Sequence, residues 1–238
     1  VVKCWVEIIP TSIQGDVIKY DIEKRPAVPL EVRVCVFDTL NIKMMDDDGC
    51  SDVFIKTFFD SRECVKETDT HFRCQDGKAS FNYRLLFNIT HPRKKNDYTL
   101  NVQAYDRDFF KSNDIIGEAK VDLRQAIEDV ILTKRPIGLN KAYYTKVLKQ
   151  LNKDLVIDFK DDSTFWVQLI TLDKNGKVEK TGKVRIQIDI YPKSMAEMNK
   201  VGDARSEPNA NPFLPPPVGR ISFSLNPLKM FQQLVGPA

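Results

Sequence analysis

The sequence predicts an all-β protein: an eight-stranded antiparallel β-sandwich with a helical insertion and a Pro-rich C-terminal tail. Three observations carry this reading. Apolar and polar residues alternate with period two through most of the chain, the pattern of strands with one buried face. Short runs rich in Asp, Asn, Gly and Pro separate these stretches, as turns require. Eight such strands joined by loops are accounted for by two packed antiparallel sheets.

The elements follow in order. Val2, Cys4, Val6 and Ile8 alternate with Lys3, Trp5 and Glu7, and Pro10 ends the run. A linker carrying Pro26 and Pro29 follows, so residues 1–28 read as a leading strand and linker. The strands proper begin at Leu30, with Val32, Val34 and Val36 on one face. Further strands are predicted at 53–59, 65–72, 81–87, 99–105, 115–123, 164–171 and 183–191. In FNYRLLF, Phe81, Tyr83, Leu85 and Phe87 share a face; in TLNVQAY, Leu100, Val102 and Ala104 point inward. The spacing of Leu123, Ala126, Ile127 and Val130 predicts a short helix. Residues 131–163 form a Lys-rich insertion in which Tyr143, Tyr144, Val147, Leu148 and Leu151 suggest one amphipathic helix.

Residues 29–193 are thus one domain, and 194–238 a tail whose SEPNANPFLPPP stretch has polyproline character. Leu228, Phe231, Leu234 and Val235 near the end suit either a helical turn on a surface or a frayed terminus. Val2–Pro10 repeats the pattern of Val184–Pro192. With one set of acidic loops between the copies, the repeat marks two flanking strands around one domain. The first copy belongs either to a preceding domain or to the edge of this sheet.

Composition narrows the function. With 42% hydrophobic residues in 238, the chain can bury one good-sized core. An initial Val suggests a piece of a longer chain, and no apolar run reaches the ~18 residues of a membrane span. Five cysteines without a CxxC pair read as thiols in a reducing compartment. The net charge of +3 and the acidic focus of the chain argue against a nucleic-acid partner. No GxSxG or phosphate-binding glycine loop is present, and neither His71 nor His91 has an evident nucleophile partner, so no enzyme activity is expected.

That acidic focus is the most specific signal. DRDFFKSND places Asp106, Asp108 and Asp114 in one loop, and DDDGCSD supplies Asp46 and Asp52 upstream. Calcium takes six to eight oxygen ligands in irregular geometry, so carboxylates from two loops suit it. Two carboxylates ~5 Å apart repel by roughly 3 kcal/mol at an effective dielectric near 20, a cost that a divalent cation removes. The EF-hand spacing is missing. Phe109 and Phe110 sit at the loop tip with Lys111, flanked by candidate ligands, and are expected to face a lipid surface. Burial of each ring would contribute about 1.5–3 kcal/mol.

These residues resemble a C2 domain. SDVFIK (51–56) looks like that family's strand after the first calcium loop, and YDRDFFKSNDIIGEAKVDL (105–123) is similar to its third-loop signature. The resemblance puts Asp46, Asp52, Asp106, Asp108 and Asp114 at the five ligand positions and implies a type II strand topology. More specifically, THFRCQDGKASFNYRLLF (70–87), GKVRIQIDIYPK (182–193) and DARSEPNANPFLPPP (203–217) resemble the C-terminal C2 domain of a ferlin and its juxtamembrane exit. Two departures stand out: Asp47 and Asp48 at the first-loop tip, where inserting relatives carry apolar residues, and Lys111 in place of a small hydroxyl residue.

The resemblance implies a calcium-dependent, phospholipid-binding module in vesicle fusion, exocytosis or membrane repair. It implies the cytoplasmic face of a vesicle or plasma membrane, and a transmembrane helix just past Ala238. Anionic phospholipid and neighbouring domains of the same chain are the implied partners. Phosphoinositides are a further candidate, with Lys56, His71, Arg73 and Arg84 as the residues. The alternatives are a calcium-independent interaction module and a regulatory fragment of a lipid-modifying enzyme.

Overall fold

The computed structural model describes residues 4, 6, 8–13, 26–46, 49–59, 64–93, 97–108, 112–149, 157–173 and 175–220. Among these residues eleven strands form: β1 (Val28–Leu40), β2 (Ser51–Phe58), β3 (Val65–Glu67), β4 (His71–Cys74), β5 (Ser80–His91), β6 (Thr99–Asp106), β7 (Asp114–Asp122), β8 (Ile137–Gly138), β9 (Ile157–Phe159), β10 (Phe165–Leu172) and β11 (Val178–Pro192). They pair antiparallel in the order β3-β2-β6-β7-β10-β11-β1-β5, with β4 on β2, β8 on β11 and β9 on β10. Between β7 and β10 the register comes down to one bridge, Ile170 to Glu118. The path folds there into two layers. Val32, Val34, Val36, Leu85 and Phe87 from one layer meet Val53, Ile55, Leu100, Val102 and Ala104 from the other in one buried core. The sandwich is therefore the expected one. The C-terminal β11 fills the place beside β1, as type II topology requires.

Period-two alternation finds the strands but miscounts them. The predicted strand at 65–72 divides into β3 and β4, because Thr68 turns inward and its hydroxyl accepts from the Ile55 amide. The predicted helix is α1 (Arg124–Thr133), which buries Ala126, Ile127 and Val130. The insertion holds less helix than its periodicity suggests. A short turn, α2 (Lys141–Tyr143), is capped by Asn140 and continues as a π-type turn over Tyr144–Leu148; Leu151 lies outside the described residues. Tyr143 and Tyr144 pack against the core, and β8 and β9 of the same insertion extend the two sheet edges of β11 and β10. The leading strand at 2–9 falls largely outside the described residues; Cys4, Val6 and Ile8 are exposed and in no strand.

The largest departure from the sequence reading concerns the tail. After α3 (Lys193–Met198), residues 199–220 do not leave the domain as a linker. They run back along the edge of β5 and the outer face of β1 and β5. The Arg84 and Ala204 backbones pair in both directions, at 3.1 and 2.8 Å. Leu214 is buried against Cys35 and Phe37. This strap explains why β1 is buried on both faces, Arg33 and Cys35 included, when its alternating sequence predicts one solvated face.

Candidate ion and membrane site

Strand direction puts four connections at one pole: 41–50 between β1 and β2, 75–79 before β5, 107–113 between β6 and β7, and 173–177 between β10 and β11. Both acidic loops are among them. The first is anchored at Ile42, whose amide donates to the Gly77 carbonyl at 3.2 Å, while the Lys43 amide donates to the Thr181 carbonyl at 2.9 Å. Two glycines make room for this. A Cβ on Gly77 would stand 2.7 Å from the Ile42 nitrogen, and one on Gly182 would stand 2.8 Å from the Ile42 Cα; both have positive φ. Beyond the anchor the loop closes on itself. The Met45 amide donates to the Ser51 hydroxyl at 2.8 Å, and the Gly49 amide to the Asp46 carbonyl at 3.0 Å.

Asp52 and Asp106 interlock where β2 meets β6. The Asp52 amide donates to Asp106 Oδ1 at 2.7 Å, and the Arg107 amide donates back to the Asp52 carbonyl at 2.9 Å. Asp52 Oδ1 accepts from the Arg73 amide at 2.7 Å, which ties β4 to the same point. Asp106 and Asp114 face each other as register partners of β6 and β7. The loop between them is closed by Asn113, whose Oδ1 accepts from the Asp108 amide at 3.1 Å.

Asp106 is the buried centre of this group, 3% exposed, whereas Asp46 and Asp114 are exposed. Burial pushes its carboxyl above the ordinary value of 3.8, and the charges of Asp52 and Asp108 push the same way. The Ser51 hydroxyl and the Asp52 amide oppose them only in part. Its second oxygen, Oδ2, is buried and has no hydrogen-bond partner among the described residues. A buried carboxylate oxygen with no donor suits a hard cation, which needs an acceptor and brings no proton. Asp52, Asp106, Asp108 and Asp114 therefore suit calcium in residue type and share one pole of the sandwich, with Asp46 in the adjacent loop. No three acidic, histidine or cysteine side chains among the described residues stand close enough together to ligate an ion. Asp47, Asp48, Phe109, Phe110 and Lys111, and with them the predicted membrane contact, lie outside the described residues.

The four phosphoinositide candidates do not form one face. Lys56 lies on β2 with its ammonium 4.5 Å from the Tyr105 ring, and Arg73 is exposed on β4. His71 is buried, with Nδ1 accepting from the Ser80 amide at 2.9 Å. Burial first, and then the nearby Arg220 charge, hold its pKa below the ordinary value. Arg84 stands in the opposite layer and is fully buried under the strap. Its guanidinium donates to the carbonyls of Gly202, Ala210 and Pro212. The reading of Arg84 and His71 as headgroup ligands is corrected accordingly, since both side chains are buried and bonded within the fold. Sequence reasoning missed Arg107, which stacks 4.3 Å from the Phe54 ring and pairs with Glu67. A cation beside an acidic motif was the only signal for it.

Comparison with known proteins agrees with the sandwich fold. Residues 30–137 match the family model of the C2 domain. Myoferlin of Mus musculus is 25% identical over 240 aligned residues, covering 90% of this chain and 12% of that protein. Ferlin 1 of Toxoplasma gondii is 30% identical over 174 residues, covering 72% of this chain and 10% of that protein. The chain thus spans about a tenth of the length of these relatives. Among solved structures, a C2 domain of plant Extended Synaptotagmin 1 covers 71% of this chain and 98% of its own, at 17% identity and a TM-score of 0.43.

Proposed function

The chain carries a C2 domain of the ferlin family, and from that premise we propose that it binds anionic phospholipid membranes in a calcium-dependent way and catalyses no reaction. The observation that carries the proposal is Asp106, a carboxylate buried between two other acidic residues with one oxygen left without a donor. Asp46, Asp52, Asp106, Asp108 and Asp114 would hold the ion. Bound calcium would supply coordination positions that lipid phosphate and carboxylate oxygens complete. The chain's own residues do the remainder. The interlock of Asp52 with Asp106 fixes two ligands before any ion arrives, and Asn113 holds Asp108 in the turn. Phe109 and Phe110 enter the bilayer beside them. Two buried rings give only marginal hold, comparable to one short acyl chain, so the carboxylate cluster and neighbouring domains share the work.

Lys56, Arg73 and Arg107 lie on the layer that carries the acidic loops, and this supports a secondary contact with phosphoinositide headgroups. In the parent protein we place the module on the cytoplasmic face of a vesicle or plasma membrane, tethered by a helix beyond residue 238, in fusion, exocytosis or membrane repair. No helix among the described residues is long and apolar enough to cross a membrane.

Calorimetric titration with calcium, with and without phosphatidylserine vesicles, tests the proposal. Reciprocal tightening is expected, since lipid must raise calcium affinity by the factor that calcium raises lipid affinity. Vesicle flotation that ignores both calcium and Asp106→Asn would instead support a calcium-independent interaction module.

A further inference from the structure

β11 ends at Pro192 opposite Leu30, at the pole away from the acidic loops. A chain leaving there would depart on the side remote from the ion site. The strap prevents this by crossing the whole length of the sandwich. Near its start, Arg33 donates to the carbonyls of Ala196 and Asn199 at 3.3 and 2.7 Å. Midway, Arg84 is spent on Gly202, Ala210 and Pro212, and Leu214 fills the pocket of Cys35 and Phe37. At its end the Val218 amide donates to the Ser80 hydroxyl, and Arg220 donates to the carbonyls of Ser80 and Thr70 and pairs with Asp69. Ser80 is the register partner of Asp38, at the acidic pole of β1. Gly219 lies beside His71, whose strand partner Val53 follows Asp52.

The covered face is built for this segment. Two guanidiniums are buried at 1% and 0% exposure, and backbone carbonyls of residues 196–212 accept from both. Hydrogen bonds from ionised donors are stronger than neutral ones, and a buried guanidinium stripped of its acceptors would be costly. Cys35 beneath Leu214 is 1% exposed, and burial pushes its thiol up to about 12.

We propose that the outer face of β1 and β5 is a docking surface for residues 199–220 of the same chain, and that docking there sets the pole at which the chain leaves the domain. Whatever follows Arg220 is delivered to the acidic loops, so that one lipid surface meets both. The delivery rests on contacts within the chain; the shared lipid surface rests also on the proposed lipid binding.

The test uses the full 238-residue chain with Cys4 and Cys64 replaced by Ser. Nitroxides are placed at Ser222→Cys and at either Asn175→Cys, in an acidic-pole loop, or Leu132→Cys, at the far pole. The Ser222–Asn175 distance is expected to be shorter than Ser222–Leu132 by at least about 10 Å, on a strand length of roughly 40 Å. Equal or reversed distances would overturn the proposal. In Leu214→Asp the two distances should broaden and converge, and maleimide labelling of Cys35 should rise about a hundredfold as its cover opens. The neighbouring exposed Phe213→Asp should change neither; equal effects from both variants would count against a specific dock. An environment-sensitive dye at Ser222→Cys should then report lipid when calcium and phosphatidylserine vesicles are added. Correct distances without any vesicle binding would leave the strap standing and remove the lipid reading.

Discussion

The Asp52 amide donates to Asp106 Oδ1 at 2.7 Å, so the first acidic loop is fastened to the third by a hydrogen bond from backbone to carboxylate. Two segments far apart in sequence therefore share one rim through the chain's own hydrogen bonds. Pre-assembly of this kind lowers the ordering cost that binding would otherwise carry.

Asp106→Asn is expected to abolish calcium-dependent vesicle binding and, in the absence of calcium, to raise the melting temperature. Desolvation and two neighbouring carboxylates disfavour the Asp106 charge, and Asn keeps the acceptor for the Asp52 amide. A gain of about 1 kcal/mol would move the midpoint by a few degrees. Scanning calorimetry with and without calcium checks this; a lower midpoint in both conditions would show that the charge is needed by the fold.

The same group sets a pH dependence. Its folded pKa lies above 3.8, so the penalty for its charge is fully present above the folded pKa and fades as pH falls through it. Calcium and protons compete for this carboxylate, so apparent calcium affinity should decline at a higher pH than for an ordinary aspartate. Calcium titrations at stepped pH would reveal it.

His71 acts in the opposite sense. Its folded pKa lies below 6.5, so the neutral ring contributes stability that is fully present above 6.5 and lost as pH falls toward the folded value. Protonation would also cost the bond from the Ser80 amide and set a second cation beside Arg220. Protection of the amides at 218–220, corrected for the intrinsic slowing of exchange with falling pH, should drop as pH falls below 6.5, and His71→Gln should flatten that response.

Gly182→Ala is expected to weaken calcium binding without touching a ligand. A Cβ there would stand 2.8 Å from the Ile42 Cα, at a φ of +132° that Ala rarely adopts. Relief must come from moving the anchor of the first acidic loop, at a cost of about 1–3 kcal/mol. A lowered melting temperature with unchanged calcium affinity would show that the loop adjusts independently of Ile42.

Phe109→Ala and Phe110→Ala should each weaken vesicle binding about tenfold or more, from the roughly 1.5–3 kcal/mol a buried ring contributes, while leaving calcium affinity without lipid unchanged. Co-sedimentation against vesicle concentration measures it.

The strands were legible because alternation is a local signal, and so were the acidic loops, because Asp spacing survives without knowledge of the fold. Leu100, Val102 and Ala104 point inward as their pattern says. What escaped was everything decided by distant covering. Arg84 reads as a surface cation until residues 202–212 lie across it, and SEPNANPFLPPP reads as a linker because its contacts run mostly through backbone carbonyls, which composition does not encode. The Ile42 anchor was hidden for a similar reason, since it depends on two glycines far apart in sequence.

The pairing of Ala204 with Arg84 has one more consequence. β5 ends its sheet, and an open strand margin invites pairing with any other extended chain. Ala204 occupies that margin at its midpoint, with Arg205 bonded alongside to the Phe81 carbonyl. Proteins carrying many such sandwiches crowd them at high local concentration, where unguarded margins would zip together into aggregates. Here the guard is supplied by the chain itself.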